Sequence, residues 1–323
     1  MCTAIYYADR FLGRNLDLGY RYRESVCITP GGYPLRYRYY GTDSNHYRVI
    51  GMATVANGYP LYYDGMNEHG LGICALNFKG YCKYTKPDAK KLCLASFELI
   101  PYLLTKMKSV AEIKEKAASI SLTDEAFSND FPTPELHYIA ADGNECIALE
   151  PREDGIRIYE NPIGVLTNNP PFDYHKENLR CYLNLTADEV NDRFSNGLDM
   201  KPFSSATGAM GLPGDGSSAS RFVRTAFNLR NADRMEKKSE AINQAFHILS
   251  SAEAIRGTVK EREGTYMTQY SSVMDLKTGT YYYKTYCRSI ITSISFKKTK
   301  SGANELIRLP LRTNEEFFEE ALP

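Results

Sequence analysis

The chain has 323 residues, ample for a buried core, and its 39 basic and 39 acidic side chains cancel, which leaves no electrostatic case for nucleic acid or an anionic membrane as a partner. At 43% hydrophobic and 24% charged it has the composition of a soluble globular protein, and no run approaches the roughly 18–20 apolar residues of a membrane-spanning helix. A strand-like start followed by Asp9 and Arg10 is not a secretion signal, so the expectation is a cytoplasmic protein.

The first residues read Met1-Cys2-Thr3-Ala4-Ile5-Tyr6-Tyr7, a cysteine directly behind the initiator methionine leading into an apolar strand. Residues 11–18 can pair with it through a short turn at Asp9-Arg10, and they contain Gly13-Arg14-Asn15-Leu16-Asp17. Arg14 and Asp17 are three apart, so a regular strand points them to opposite faces. For both to face Cys2, this strand must bend or bulge between them.

Residues 25–29 and 49–55 read as further strands, Asn57-Gly58-Tyr59-Pro60 as a turn, and 62–70 as a second turn-rich passage before the apolar 71–78. Helices follow at 95–107, with Pro101 marking a kink or an element start, and from Ser109-Val110-Ala111-Glu112, which has capping-box spacing, to about 120. Strands return at 136–141, 145–150 and 155–159, then a helix at 172–183. Residues 187–218 are rich in Gly, Ser, Asn and Asp and read as a long excursion used in function or assembly. Helices at 219–230 and 239–250 precede tail strands at 266–274, 281–286 and 289–296.

Strand hairpins outnumber strand–helix–strand alternation, which argues for an α+β fold with antiparallel sheets and segregated helices. Two sheets between helical layers fit the order, and no composition break divides residues 1–323 into two domains. Eight cysteines without a C-x-x-C pair and five scattered histidines give no support for a metal site. The cysteines read as buried free thiols rather than disulfides, and 25 tyrosines with no tryptophan suit a sheet-rich protein.

If Met1 is removed, Cys2 carries a thiol and a free α-amine on one residue, a nucleophile with its own base attached. Three further stretches bear on it. Residues 71–78 end an apolar strand at Asn77, Gly164-Val165-Leu166-Thr167-Asn168-Asn169-Pro170-Pro171 ends another with two amides, and Ser217-Ser218-Ala219-Ser220-Arg221-Phe222 sets an arginine where a loop becomes a helix.

Together with the N-terminus, these motifs resemble the choloylglycine hydrolase family of N-terminal-nucleophile amidases, which includes bile salt hydrolases and penicillin V acylases. The resemblance covers essentially the whole chain. It implies a four-layer αββα sandwich of two antiparallel sheets between helical layers, in one N-terminal-nucleophile hydrolase domain. It implies a bacterial cysteine amidase that needs no cofactor and no metal, and acts on glycine- or taurine-conjugated bile salts through an acyl-thioester. Amine acyl transfer is permitted, and the family often forms homotetramers.

By matching position, Cys2 is the nucleophile, Arg14 the cation that stabilises its thiolate, and Asp17 the acceptor that orients the amine. Asn77 and Asn168 match neutral donors for the oxyanion; losing one such donor costs on the order of 100- to 1000-fold in rate. Arg221 holds the polar network or steers the anionic end of the substrate. Asn77 matches the asparagine typical of bile salt hydrolases, where penicillin V acylases have tyrosine. Leu16 is a candidate wall of the acyl pocket, and the loop 128–135 a candidate border of its mouth. The turn at 9–12 is shorter than usual for the family, and Tyr138 and Gly216 stand where tryptophan is common, near loops expected to shape the entrance. Penicillin V, N-acyl homoserine lactones, or a non-catalytic relative that keeps Met1 are the alternatives.

Overall fold

The computed structural model describes residues 1–192, 194, 197–198, 200–261, 264–298 and 304–321. Parts of the 187–218 excursion, at 193, 195, 196 and 199, lie outside the described residues.

Two antiparallel sheets face each other. One has seven strands among the described residues: Val165–Leu166, Cys2–Tyr7, Phe11–Leu18, Gly264–Asp275, Thr280–Thr285 and Arg288–Ser295 in spatial order, with Val259–Glu261 also paired to Gly264–Asp275. The other has eight, in the order Gly155–Glu160, Cys146–Arg152, Leu136–Ala141, Gly72–Asn77, Tyr59–Asn67, Val49–Ala56, Ser25–Thr29 and Ile307–Pro310. Helices Ser218–Asn231 and Lys238–Ser250 pack on the outside of the first sheet, and Leu99–Lys106 on the outside of the second. The result is the expected αββα sandwich.

The core follows these layers. Leu12, Met52, Cys74 and Ile139 fill the space between the sheets, and Ile5 on the other face of its strand lies in the same cluster with Phe222, Phe246 and Leu249 of the two outer helices. Ile73, Ala75 and Leu149 point to the opposite side of the eight-stranded sheet, against Leu99, Leu103 and Leu104. The period-2 alternation of strand side chains therefore feeds two cores from one sheet.

Several boundaries differ from the sequence reading. Residues 62–70 are mostly strand: Tyr59–Asn67 is continuous, and only Glu68–Gly70 turns. The helix expected over 95–107 is a 3-10 turn, Ser96–Glu98, leading into Leu99–Lys106, with Pro101 in the first helical turn where its missing N–H has no cost. Ser109 caps Val110–Ala117 by accepting from the Glu112 N–H. The strands Leu92–Ala95, Ile120–Thr123 and Ile307–Pro310 are additional.

The first hairpin turns on Ala8 and Asp9, both in the left-handed region at φ 54° and 51°, and Tyr7 pairs with Phe11 across it. Pairing then runs without interruption to Cys2 opposite Leu16. The bulge expected between Arg14 and Asp17 is not in their strand. It lies on the neighbour Gly264–Asp275, where Thr268 pairs with Asp17 and Tyr270 with Leu16, leaving Gln269 as the extra residue.

Candidate active site

Register decides which side chains meet Cys2. Opposite residues of an antiparallel pair share a face. Cys2 opposite Leu16 and Ala4 opposite Arg14 therefore set Cys2, Leu16 and Arg14 on one face, with Thr3, Asn15 and Asp17 on the other. Contacts identify the two faces. Arg14 donates to the carbonyls of Tyr63 at 3.0 Å and Ala75 at 2.8 Å in the facing sheet, whereas Asn15 donates to the Leu249 carbonyl at 2.8 Å on an outer helix.

The Arg14 guanidinium is fully buried and donates through Nη2 to the Cys2 thiol at 2.9 Å. Desolvation disfavours this cation, yet Cys2, Tyr270 and Asp64 around it hold it above the ordinary arginine range. Thiol and cation are thus locked together before any ligand arrives.

The Cys2 backbone is gripped by the end of the neighbouring strand and by an outer helix. Ala4 pairs with Leu166, so the antiparallel register brings Asn168 level with Cys2. The Asn168 Oδ1 accepts the Cys2 N–H at 2.7 Å and the Arg221 Nη2 at 2.7 Å, while its Nδ2 donates to the Asn77 carbonyl at 2.8 Å. Arg221 enters from the first turns of Ser218–Asn231, a helix capped by Ser217 accepting from the Ser220 N–H. It also donates to the Cys2 carbonyl at 2.5 Å, to the Thr3 hydroxyl at 2.7 Å and to the Gly216 carbonyl at 3.1 Å. Burial lowers Arg221 from the usual arginine range, and Asp17 and Cys2 oppose that. Arg221 is thus tied into the hydrogen-bond network around Cys2 and also lines the cavity beside it.

Asp17 is wholly buried. Its Oδ1 accepts the Thr268 hydroxyl at 2.6 Å, and its Oδ2 has no hydrogen-bond partner among the described residues. Burial pushes this carboxyl up; Arg221 and the terminal amine pull it down. The backbone of Asp17 exchanges bonds with Met1 in both directions, each at 3.0 Å. An unfilled buried carboxylate oxygen beside the chain terminus is a place for a further N–H donor.

A cavity of about 700 Å³ opens onto the thiol. Leu16 and Leu61 with Phe97, Phe127, Phe131 and Leu136 supply apolar wall, Tyr20, Tyr22 and Tyr63 add half-polar surface, and Pro132, Thr133 and Pro134 of the 128–135 loop form part of the border. Asn77, exposed at the end of its strand, lines it too; its Oδ1 accepts the Lys79 N–H at 3.0 Å and its Nδ2 donates to no described residue. The charged side chains lining the cavity among the described residues are Arg221 and Lys79, and no carboxylate is among them. A second cavity, of about 400 Å³, lies at the other end of the first hairpin beside Tyr7 and Asp9, away from this cluster. Among the described residues no three His, Cys, Asp or Glu side chains converge as a metal site.

Such a site can form a thiolate beside a fixed cation, hold the nitrogen of the same residue, and present an amide N–H to an oxygen developing negative charge. Compared with known proteins, residues 2–308 match the family model for linear amide C–N hydrolases, choloylglycine hydrolase family.

The chain belongs to the choloylglycine hydrolase family.

It is therefore an amidohydrolase of linear amide C–N bonds. Among curated relatives of the chain, the bile salt hydrolase/transferase of Lactiplantibacillus plantarum is 44% identical over 98% of this chain and 99% of that one. The crystal structure of the C2A mutant of conjugated bile acid hydrolase from Clostridium perfringens matches with a TM-score of 0.90 at 31% identity, covering 99% of both chains. The penicillin V acylase structure from Agrobacterium tumefaciens matches at 0.76 with 18% identity, over 97% of this chain and 92% of that one, which speaks to the fold alone.

Sequence reading missed parts of this site. Ser218 accepts the Asn168 N–H at 2.9 Å and donates to Thr167 at 3.0 Å. His175 donates to the Asn168 carbonyl at 2.8 Å, and burial lowers its imidazole to about 4. The Thr167-Asn168 motif was the available signal, since a strand-end amide held in one orientation needs partners. Asp64 and Lys79 gave none. Tyr138, expected near the entrance, is instead buried in the outer core with its hydroxyl 3.4 Å from the Ser96 carbonyl; Gly216 does line the cavity.

Proposed function

We propose that this member of the family cleaves the amide bond of glycine- or taurine-conjugated bile salts through an acyl-thioester on Cys2. The observation that carries the reading is the Cys2 thiol, held at 2.9 Å by Arg14, at the base of a largely apolar cavity of about 700 Å³. A rigid apolar acid with an anionic amino-acid end suits walls of leucine and aromatic rings and a rim that carries the cation of Lys79. The bile salt and conjugated bile acid hydrolases among its relatives support the same substrate class.

Removal of Met1 turns the Cys2 nitrogen from an amide into an amine. Asn168 already accepts from that nitrogen, and the empty Oδ2 of Asp17 supplies a further acceptor for the hydrogen gained. The amine takes the thiol proton, and Arg14 stabilises the thiolate as it attacks the amide carbon. The tetrahedral oxyanion accepts from the free Nδ2 of Asn77 and from the second amide hydrogen of Asn168. The protonated amine then gives its proton to the departing nitrogen as the C–N bond breaks, leaving a thioester. Water, deprotonated by the same amine, attacks that thioester, and the C–S bond breaks. An amine in place of water yields an amidated acid.

Eight unpaired thiols, six of them buried, support a reducing compartment and hence the cytoplasm. We read residues 1–323 as one catalytic domain that assembles as a homotetramer, with 187–218 as the assembly excursion. Exposed Leu183, Phe194, Phe203 and Met210 in and beside that excursion support an interface there.

A turnover panel of glyco- and tauro-conjugates with penicillin V and an N-acyl homoserine lactone tests the substrate. Conjugated bile salts are expected to be hydrolysed at least tenfold faster than the others. Faster cleavage of penicillin V or of the lactone, with bile conjugates untouched, would transfer the assignment.

A further inference from the structure

Beneath the thiol, between the sheets, lies a buried carboxylate that the amide chemistry leaves unused. Asp64 is wholly buried on Tyr59–Asn67. Its Oδ1 accepts the Tyr281 hydroxyl at 2.6 Å and the Met52 N–H at 3.4 Å, and its Oδ2 accepts the Tyr270 hydroxyl at 2.7 Å and the Ser272 hydroxyl at 3.4 Å. The same Oδ2 stands 4.0 Å from Arg14 Nε. Among the described residues it is the only carboxylate within ion-pair distance of Arg14.

The charges around Arg14 change during catalysis, and Asp64 does not. Apart from the thiol and Asp64, Arg14 meets neutral carbonyls, those of Tyr63, Ala75 and Asn15. When Cys2 is acylated its sulfur becomes neutral. A buried cation facing only carbonyls is costly, and a resident anion removes that cost. While the thiolate is free, it shares the cation with Asp64.

We propose that Asp64 is a positioning residue for Cys2: its carboxylate is the standing counter-charge that keeps Arg14 in place through the acyl-enzyme and limits how strongly Arg14 stabilises the free thiolate. The proposal rests on Cys2 being the nucleophile, but its test needs no substrate.

The titratable groups facing this set come from every packed element. Tyr63 and Cys74 approach from the eight-stranded sheet, Tyr270 and Tyr281 from the seven-stranded sheet. Asp17, Arg221 and the terminal amine lie around the Cys2 backbone. Burial pushes the Cys74 thiol and the Tyr63, Tyr270 and Tyr281 phenols up, so all four stay neutral near neutral pH. Burial also pushes Asp64 up, while Arg14 and the two phenols pull it back towards the ionised form.

The test is Asp64→Asn in Met1-free protein, read as the rate of iodoacetamide alkylation at Cys2 from about pH 5 to about pH 9. Asparagine can still engage both tyrosines, so what is lost is the charge. The pH at half-maximal alkylation is expected to fall by roughly one unit. The plateau rate is expected to fall about threefold, as a more stabilised thiolate is a weaker nucleophile. An unchanged or raised midpoint, whatever happens to thermal stability, would overturn the proposal. If Asp64→Asn does not fold, the double variant Arg14→Gln/Asp64→Asn is expected to fold, because the two buried charges then leave together. A double variant that fails like the single one overturns the proposal as well.

Discussion

Asn168 holds the Cys2 nitrogen at 2.7 Å with the same oxygen that takes the Arg221 guanidinium. One amide oxygen therefore fixes the attacking residue, and the helix-borne arginine fixes that amide. Its own carbonyl is held by His175 and its N–H by Ser218, so the orientation has little freedom. Position of the nucleophile in this family member is a property of a strand end braced on every side.

Asn168→Ala removes the oxygen and leaves a buried guanidinium short of an acceptor. The expected result is a fall in kcat/KM of about 100-fold or more. A stability loss of about 1–3 kcal/mol should accompany it. Steady-state kinetics and denaturant unfolding of the variant check the two together.

Lys79→Glu reverses the charge that Lys79 places at the cavity rim. KM for glyco- and tauro-conjugates is expected to rise about tenfold with kcat within about twofold, since binding rather than the chemical step is affected. A conjugate whose acid end is capped as a neutral amide should be insensitive. Equal changes for charged and capped substrates would show that Lys79 does not meet the anion.

Asn77→Tyr is expected to lower bile-conjugate turnover relative to penicillin V by at least tenfold, because it removes the free amide donor and crowds the mouth. The ratio of the two rates measured on one preparation tests this, and an unchanged ratio counts against any part for Asn77 in selection.

The His175 imidazole is held at about 4 by burial, below its ordinary 6.5. The unfolded chain therefore binds a proton that the folded chain refuses between these values, so stability falls as pH drops from about 6.5 to about 4. The shift corresponds to about 3 kcal/mol across that window. Asp17 and Asp64, whose carboxyls burial pushes up, act in the opposite sense at acid pH. The comparison of wild type with His175→Gln isolates the histidine: the variant should lose less stability over this range, as measured by denaturation midpoints at each pH.

The αββα layers and the grouping of Cys2, Arg14, Asn168 and Arg221 were legible in the sequence because each of these residues sits in a short motif that, together with the others, resembles the choloylglycine hydrolase family. What escaped depends on pairing between distant strands. Asp64-Gly65 looks like a turn, since both residue types are poor strand formers. Yet Gly65 pairs with Gly51 where the chains approach so closely that a Cβ on Gly51 would stand 2.1 Å from the Asp64 carbonyl oxygen. Glycine there permits the approach and marks strand, not turn. The bulge beside Asp17 went to the partner strand for a similar reason. Nothing in residues 14–17 reveals that Gln269, some 250 positions on, absorbs the mismatch. Lys79 reads as solvated surface until the fold sets it at the cavity rim.

The most direct test of the account is glycine release from glycocholate by Met1-free wild type and by Met1-free Cys2→Ser, with intact mass confirming that the methionine is gone from both. Wild type is expected to release glycine, and the variant to keep its fold while losing activity about 1000-fold or more. Release by Cys2→Ser within a few-fold of wild type, or none from wild type with a free Cys2 amine, would contradict the central claim.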